Sequence, residues 1–222
     1  MADLPLSATS LQDFADCPRR FELTYLKRLD WPREVNLAAL ELGNLLHRTV
    51  QQYLLGIPIN DAPVISSEID LHNLRQIVSN ALSASTSCEN KVEYQVQLVS
   101  GSTVIVGKFD FLQICPDGSV HVYDWKTDQH FKSRGYYEKR IQTKLYLWLA
   151  SQLYVPRVVH LHIVSLRGQG SHIFQPSPAE IIRYGEQLTE LSAQVRATPE
   201  GGFNRTFDKA ICELCKFDTY CN

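Results

Sequence analysis

The sequence predicts an α/β fold in which a central mixed sheet is flanked by helices. Apolar residues recur at helical spacing in two long stretches, residues 37–55 and 136–154. Between them lie three short strand-like segments with turn residues at their ends, and a further strand and a capped helix follow the second stretch. Helix, sheet, helix, strand and helix in this order are typical of an α/β sandwich around one core.

Composition narrows the class of protein before any motif does. The chain has 222 residues, of which 44% are hydrophobic and 21% are charged, as is usual for a globular protein. Its net charge of -2 provides no general attraction for nucleic acid, so a nucleic-acid partner would require locally grouped Lys and Arg side chains. We find no signal-peptide pattern and no run of 18 apolar residues, so we expect a cytoplasmic protein without a membrane partner.

The first half of the chain supplies a helix and then the sheet. The helix at 37–55 should end at Gly56 and Pro58, and a Ser-rich loop with a second helix near 71–82 should follow. Segments 91–99, 103–114 and 120–126 alternate as strands do and are separated by Gly-Ser and Pro-Asp-Gly turns, which predicts an antiparallel meander.

The second half begins with "YYEKRIQTKLYLWLASQLY", residues 136–154, which we interpret as one long helix. "RVVHLHIVSL" at 157–166 predicts a fourth strand that ends in an Arg-Gly-Gln-Gly turn. Ser177, Pro178 and Glu180 form a capping-box pattern, so a last long helix should run to about Ala197. With no internal repeat or linker, residues 1–222 are expected to form a single domain.

Two acidic residues on neighbouring strands carry the strongest chemical signal. Asp110 on the second strand and Asp124 on the third can meet at one point, and carboxylate oxygens suit Mg²⁺ or Mn²⁺. A divalent ion there could polarise a phosphoryl oxygen and lower the pKa of a bound water. Lys126 shares a face with Asp124 and could stabilise charge that develops on phosphate. A plain salt bridge at the strand end is the alternative.

Helical residues could complete the same site. His47 follows Gly43 by four residues and could direct its imidazole at the metal, although a lone helical His is often only a satisfied core residue. Gln142 and Tyr146 lie on one helical face and could contact nucleic-acid backbone or hold the lysine. Nearby basic side chains would add local positive charge or form a solvated face; they are Lys139, Arg140 and Lys144.

Four of the six cysteines are candidate ligands. Cys212, Cys215 and Cys221 form a C-x2-C-x5-C run, and Cys17 near the other end is the natural fourth member. Such a set could hold one metal or a cluster, and zinc remains an alternative occupant. In a reducing compartment disulfides are not expected, so Cys88 and Cys115 are interpreted as separate and inert.

Taken together, the motifs occur in a specific order between "CPRRF" and the C-x2-C-x5-C run. They are Gly43…His47, Gly107…Asp110, Asp124-Trp125-Lys126-Thr127 and Gln142…Tyr146. This set resembles the RecB-like nucleases of the PD-(D/E)xK superfamily over residues 7–221. The similarity is greatest to the branch with an iron–sulphur staple, which includes the CRISPR-adaptation nuclease and the nuclease domain of AddB.

The resemblance implies a PD-(D/E)xK restriction-endonuclease-like core and a metal-dependent DNA nuclease. The implied activity is that of an exonuclease on single-stranded ends in repair, recombination or CRISPR adaptation, with helicase or CRISPR-adaptation proteins as candidate partners. Asp110, Asp124 and Lys126 would be catalytic, and Gln142 and Tyr146 would bind substrate. The implied metal ligands are His47, Asp110, Asp124 and the Trp125 carbonyl.

The resemblance also implies a role for four cysteines, and the sequence differs from related nucleases at one position. Cys17, Cys212, Cys215 and Cys221 would hold a 4Fe–4S cluster that joins the chain ends. Asp124 stands where related nucleases often have Glu, which could shift metal preference, and Glu93 could assist from outside the ligand set.

Two other functions stay open on the sequence alone. One is a non-catalytic DNA-end-binding protein on the same fold. The other is a zinc-stapled structural subunit of a larger repair or CRISPR assembly.

Overall fold

A mixed β-sheet forms the centre of the computed structural model, which describes residues 4–29, 37–59, 71–82, 87–100 and 103–221. Its strands are β1 Leu6–Ser7, β2 Glu89–Ser100, β3 Thr103–Ile114, β4 Ser119–Lys126, β5 Val158–Ser165 and β6 Ser171–Phe174. They pair in the order β1-β3-β4-β5-β6, and β2 pairs with β3. The β1–β3 and β4–β5 pairs are parallel and the others antiparallel. The predicted α/β fold is confirmed.

Helices cover both faces of this sheet. Those of the described residues are α1 Ala8–Asp16, α2 Pro18–Phe21, α3 Leu37–Leu54, α4 Leu71–Ala81, α5 Arg134–Lys139, α6 Ile141–Tyr154, α7 Pro178–Ala197, α8 Lys209–Glu213 and α9 Asp218–Cys221, with a π-helical turn at Glu22–Leu26. The predicted capping box of α7 is present, with Ser177 and Glu180 bonded reciprocally. None of the described helices is long and apolar enough to cross a membrane.

The antiparallel meander β2–β3–β4 is confirmed, and its register matters for the site. Phe111 pairs with Tyr123 and Leu112 with Val122, so Asp110 and Asp124 occupy the next opposed positions. The turn between β3 and β4 closes through the Cys115 N–H and the Ser119 carbonyl, with Gly118 at a φ of 84°. The predicted Gly-Ser turn at 101–102, and parts of the predicted loop at 60–70 and 83–86, lie outside the described residues.

Two apolar clusters fill the space between sheet and helices. On one face α6 packs on β3 so closely that a Cβ on Gly107 would lie 2.8 Å from Leu149 Cδ1. On the other face Leu46 of α3 and Leu74 of α4 pack with Trp125 of β4 in the second cluster. The sheet is therefore covered from both sides, and no residue of β4 or β5 is fully exposed.

The stretch predicted as one helix at 136–154 is two helices. Arg140 has an extended backbone, with φ -70° and ψ 140°, and separates α5 from α6. The Ile141 N–H that opens α6 donates to Gln12 Oε1 of α1, at 3.1 Å. The break therefore coincides with a contact 129 residues away along the chain, and no Gly or Pro within residues 136–154 signals it.

The expectation that Cys88 and Cys115 stay separate is wrong, because they form a disulfide. The register of β2 and β3 explains the bond. Glu89 pairs with Ile114, so the preceding and following residues stand opposite each other across the ladder. The pairing of the strands, which is not visible in the sequence, brings the two thiols together.

Three imidazoles form a polar network at the end of the sheet where β4 and β5 begin. His121 Nδ1 lies 3.0 Å from His162 Nε2, and the ring of His121 stacks on that of His160. Because the Ser119 hydroxyl donates to Asp117, we assign the His121 Nε2–H to Ser119 Oγ and the His162 Nε2–H to His121. Burial and the neighbouring imidazoles lower the pKa of His162 to about 3.

Candidate active site

The candidate site lies where β3 and β4 approach α3. The Trp125 N–H of β4 donates to Asp110 Oδ2 of β3 at 2.7 Å, which fixes the orientation of this carboxylate. His47 of α3 reaches the same oxygen, with Nδ1 at 3.8 Å. α3 comes close enough because residue 43 is glycine: a Cβ there would lie 3.0 Å from Thr127 Oγ1. The Gly43…His47 spacing thus has a packing reason.

A group of donors able to hold a metal ion is found at this point. One ligand atom from each of His47, Glu93 and Asp110 lies within 4.8 Å of the others. Imidazole nitrogen with two carboxylates is a donor set that Mn²⁺ and Mg²⁺ accept. Glu93 was expected only to assist from outside the ligand set, and its one sequence signal is an acidic residue inside a strand pattern.

Glu93 has an unusual backbone that directs it into the site. Its φ is 51°, in the left-handed region, and the β2–β3 ladder is interrupted where Glu93 faces Asp110. Non-glycine residues in this conformation concentrate at functional sites, where the surrounding structure maintains the strain. Its carboxylate lies 2.5 Å from Lys108 Nζ.

Asp124 lies on the other side of the site, next to Lys126. Its Oδ2 is 2.6 Å from Lys126 Nζ, and its side chain is buried. Of the four predicted metal ligands, the structure therefore groups His47 and Asp110, whereas Asp124 is paired with the lysine. Trp125 contributes its N–H to Asp110, and its ring is buried in the second apolar cluster.

Gln142 and Tyr146 have internal partners. Gln142 Oε1 accepts a hydrogen bond from Lys126 Nζ at 3.0 Å, and its amide nitrogen lies 3.5 Å from Asp124 Oδ1. The Tyr146 hydroxyl accepts from Gln142 Nε2 and donates to the Lys108 carbonyl at 2.6 Å. With both groups engaged and Tyr146 only 8% exposed, their geometry fits holding the lysine better than contacting DNA.

Burial and neighbouring charges shift the pKa values of the ionisable groups of the site in opposite directions. Burial and the charge of Asp124 raise the pKa of Asp110 well above its usual range, against the Trp125 N–H and Lys126. Burial pushes the pKa of Lys126 down, but Asp124 and Asp110 outweigh it and the net pKa is raised. Burial lowers the pKa of His47, so its imidazole is neutral, which is the form that binds metal. A bound cation would offset the repulsion between the carboxylates.

The basic side chains predicted to lie near the site face elsewhere. Lys139 and Lys144 line a groove between α1, α6 and α7, and Lys144 Nζ donates to Gln187 of α7. The Arg140 guanidinium lies over the Tyr136 ring. The cleft above the metal donors is lined instead by Asn44, Arg48, Gln51 and Lys108, none of which was predicted.

The four candidate cysteines come together from both ends of the chain. Cys17, Cys212, Cys215 and Cys221 are free thiols that line one pocket. The Thr206 N–H points at Cys17 Sγ at 3.4 Å and the Phe217 N–H at Cys215 Sγ at 3.5 Å, so two sulfurs face backbone donors. Burial and the neighbouring thiols raise the pKa of Cys221.

Not all of the free thiols lie as close together as the sulfurs of a bound zinc ion. A tetrahedral zinc with Zn–S bonds of about 2.3 Å places its sulfurs roughly 3.8 Å apart. Among the described residues, no three of these sulfurs meet within 4.8 Å of one another, since the one group that does so is His47, Glu93 and Asp110. The four free thiols are a donor set that either a zinc ion or an iron–sulphur cluster accepts.

Comparisons with known proteins agree with the fold. The family model of the PD-(D/E)XK nuclease superfamily matches residues 5–89 and 78–222. A solved structure from Eubacterium rectale, described as a candidate exonuclease, is 12% identical, covers 98% of this chain and 88% of its own, and has a TM-score of 0.58. The crystal structure of SSO0001 is 17% identical over 98% and 85% of the two chains, with a TM-score of 0.47. No curated protein matches the sequence.

Proposed function

The chain belongs to the PD-(D/E)XK nuclease superfamily, and from this membership and the geometry of its site we propose that it is a metal-dependent DNA exonuclease of the RecB-like group. Its proposed substrate is a single-stranded DNA end, processed in repair, recombination or CRISPR adaptation together with helicase or CRISPR-adaptation proteins. The Eubacterium rectale protein, which shares the fold and is described as a candidate exonuclease, agrees with this proposal.

One observation carries the proposal. A three-donor group suited to a divalent cation lies beside a charged lysine whose amine is fixed by a carboxylate and an amide. A salt bridge alone would explain Lys126 and Asp124, but it would not explain why a second carboxylate and a strained Glu93 face the same point. Phosphodiester hydrolysis needs both parts, because charge develops on phosphate while a water attacks it.

The residues of the site have separate roles in the proposed reaction. His47, Glu93 and Asp110 would hold Mg²⁺ or Mn²⁺, which supplies Lewis acidity and a more acidic water, and Asp124 and the Trp125 carbonyl are further candidate ligands. Lys126 keeps its charge and stands ready to stabilise the phosphoryl oxygens or to orient the water. Gln142 positions Lys126, and Tyr146 anchors Gln142 to the β3 backbone.

The cysteine site has a structural part in this proposal. Cys17, Cys212, Cys215 and Cys221 would hold a 4Fe–4S cluster that joins the ends of one nuclease domain spanning residues 1–222. This part is supported by the four free thiols, which come from both ends of the chain and line one pocket.

Single substitutions in the catalytic set test the proposal. Asp110→Asn, Asp124→Asn and Lys126→Ala should each reduce cleavage of a labelled single-stranded oligonucleotide about 10³-fold or more, because the three groups act as a unit. Asp110→Asn should also lose Mn²⁺ binding by calorimetry, whereas Lys126→Ala should keep it.

Lys132→Ala is the matched control, because this lysine is exposed and lies outside the site. It should cut like the wild type. If the folded wild-type protein degrades no DNA with any divalent metal, or if Lys126→Ala cuts normally, the enzyme proposal is wrong and a DNA-end-binding role replaces it.

A further inference from the structure

One side of the cleft above the metal donors is formed by a row of polar side chains on helix α3. Asn44, Arg48 and Gln51 follow one another at spacings of four and three residues, so they share one face of the helix. The opposite side of α3 packs Leu46 and Val50 into the second apolar cluster. The row is therefore held in place by the core while its polar ends face the cleft.

Arg48 is the charged member of this row. It is exposed, and among the residues that the structure describes it forms no hydrogen bond or ion pair. It nevertheless lines the same cleft as the carboxylates of Glu93 and Asp110. A guanidinium kept near acidic groups without pairing to them is available to an anion that enters the cleft.

The remaining chemistry of the row matches a sugar–phosphate backbone. Asn44 and Gln51 carry amides that donate to phosphate or sugar oxygens without reading sequence. The net charge of the chain is -2, so affinity for DNA must come from such local contacts and not from a general field. His47, one residue before Arg48, places the row directly beside the proposed metal.

We propose that Asn44, Arg48 and Gln51 bind the backbone of single-stranded DNA next to the phosphate that is cut, with Arg48 making the ionic contact. The inference rests on the proposed nuclease function and adds the surface that holds the substrate. Arg48 is a binding residue here, and bond cleavage stays with the metal donors and Lys126.

Equilibrium binding of a labelled single-stranded oligonucleotide in Ca²⁺, measured at several salt concentrations, tests this assignment. Arg48→Gln should weaken binding about tenfold at low salt. It should also reduce the steepness of the plot of log binding constant against log salt concentration by roughly 0.7, the value for one lost phosphate contact on a single strand. Arg48→Lys should restore the salt dependence. In the cleavage assay Arg48→Gln should raise KM and leave kcat within about twofold, because the contact is made equally in the ground and transition states.

Arg157→Gln provides the matched control, since Arg157 is exposed at the start of β5, at the opposite end of the β4–β5 pair from Lys126. If the wild type cuts DNA but Arg48→Gln binds with the same affinity and salt dependence as Arg157→Gln, the inference is wrong and the nuclease function stands. If Arg48→Gln lowers kcat without changing KM, the assignment of a binding role is also wrong. If the wild type neither cuts nor binds DNA, both the proposed function and this inference are wrong.

Discussion

At the residue scale, the neighbours of Lys126 set its charge and its direction. Its amine is held between Asp124 Oδ2 at 2.6 Å and Gln142 Oε1 at 3.0 Å, and its side chain is only 18% exposed. The carboxylate keeps it charged despite burial, and the neutral amide fixes its direction without neutralising it further. In the proposed reaction Gln142 would therefore act through Lys126.

Replacing Gln142 should distinguish this positioning role from substrate binding. We expect Gln142→Ala to lower kcat about 10- to 100-fold, because a lysine displaced by a fraction of an ångström no longer meets the developing charge. KM for DNA and the affinity for Mn²⁺ should change less than about twofold. Single-turnover cleavage and calorimetry measure the three quantities.

The control for Gln142→Ala is Gln152→Ala, since Gln152 lies on the same helix and is exposed. It should leave all three quantities unchanged. A raised KM with unchanged kcat in Gln142→Ala would instead support the direct DNA contact that the sequence suggested.

At the scale of elements, β4 and β5 carry different chemistry at their two ends. Asp124 and Lys126 lie at the end of β4, and the imidazole network lies where the two strands begin. His162 is 8% exposed and faces His121 and His160, so a proton there would be both desolvated and repelled. Folding therefore disfavours the protonated form.

This network should make stability fall in acid. The folded pKa of His162, about 3, is below the ordinary value of 6.5, so the unfolded chain binds the proton more readily. The stability it contributes is fully present above pH 6.5 and is lost as pH falls toward 3. Between pH 7.5 and pH 5 His162 alone should cost about 2 kcal/mol, measured by urea unfolding at both values.

A variant isolates the contribution of this residue from other acid-sensitive groups. His162→Gln cannot take up the proton, so it should lose about 2 kcal/mol less than the wild type between pH 7.5 and pH 5. His130→Gln, at an exposed loop residue, should behave like the wild type. Equal losses in all three proteins would contradict the role of His162.

Local patterns predicted the elements better than the contacts between them. Helix caps and the alternation of polar and apolar residues are signals carried by neighbouring residues. The start of α7 and the β2–β3–β4 meander could therefore be predicted. The break at Arg140 and the Cys88–Cys115 disulfide depend on partners far along the chain, so no window of sequence contains them. For the same reason Glu93 was not predicted as a metal ligand, because it lies beside His47 only once α3 packs against the sheet.

At the scale of the whole molecule, the first and last segments form one body. Arg196 donates to the Leu4 carbonyl, the Arg19 N–H to the Asn204 carbonyl, and Phe203 packs between Phe14 and Phe21. The four free cysteines lie at this junction. A group bound there would add to contacts that already hold the ends together.

We expect protein purified without oxygen to be brown and to contain iron and sulfide. Cys17→Ser should lose the broad visible absorbance and lower the unfolding midpoint, because ligand binding at this junction is coupled to folding. The double variant Cys88→Ser, Cys115→Ser, which removes two cysteines outside the junction, should keep its colour. A colourless wild type with one zinc per chain would contradict the cluster.

The junction between the chain ends also sets a waiting time during synthesis. The hydrogen bonds from Arg196 to Leu4 and from Thr206 to Cys17 span 192 and 189 residues. At roughly 5–20 residues per second, a ribosome needs about 10–40 s to supply these partners. For that interval Leu11, Phe14 and Phe21, which end fully or almost fully buried, have no completed core to enter. The apolar side chains of α1 and α2 therefore stay without their final partners until residue 206 has been synthesised.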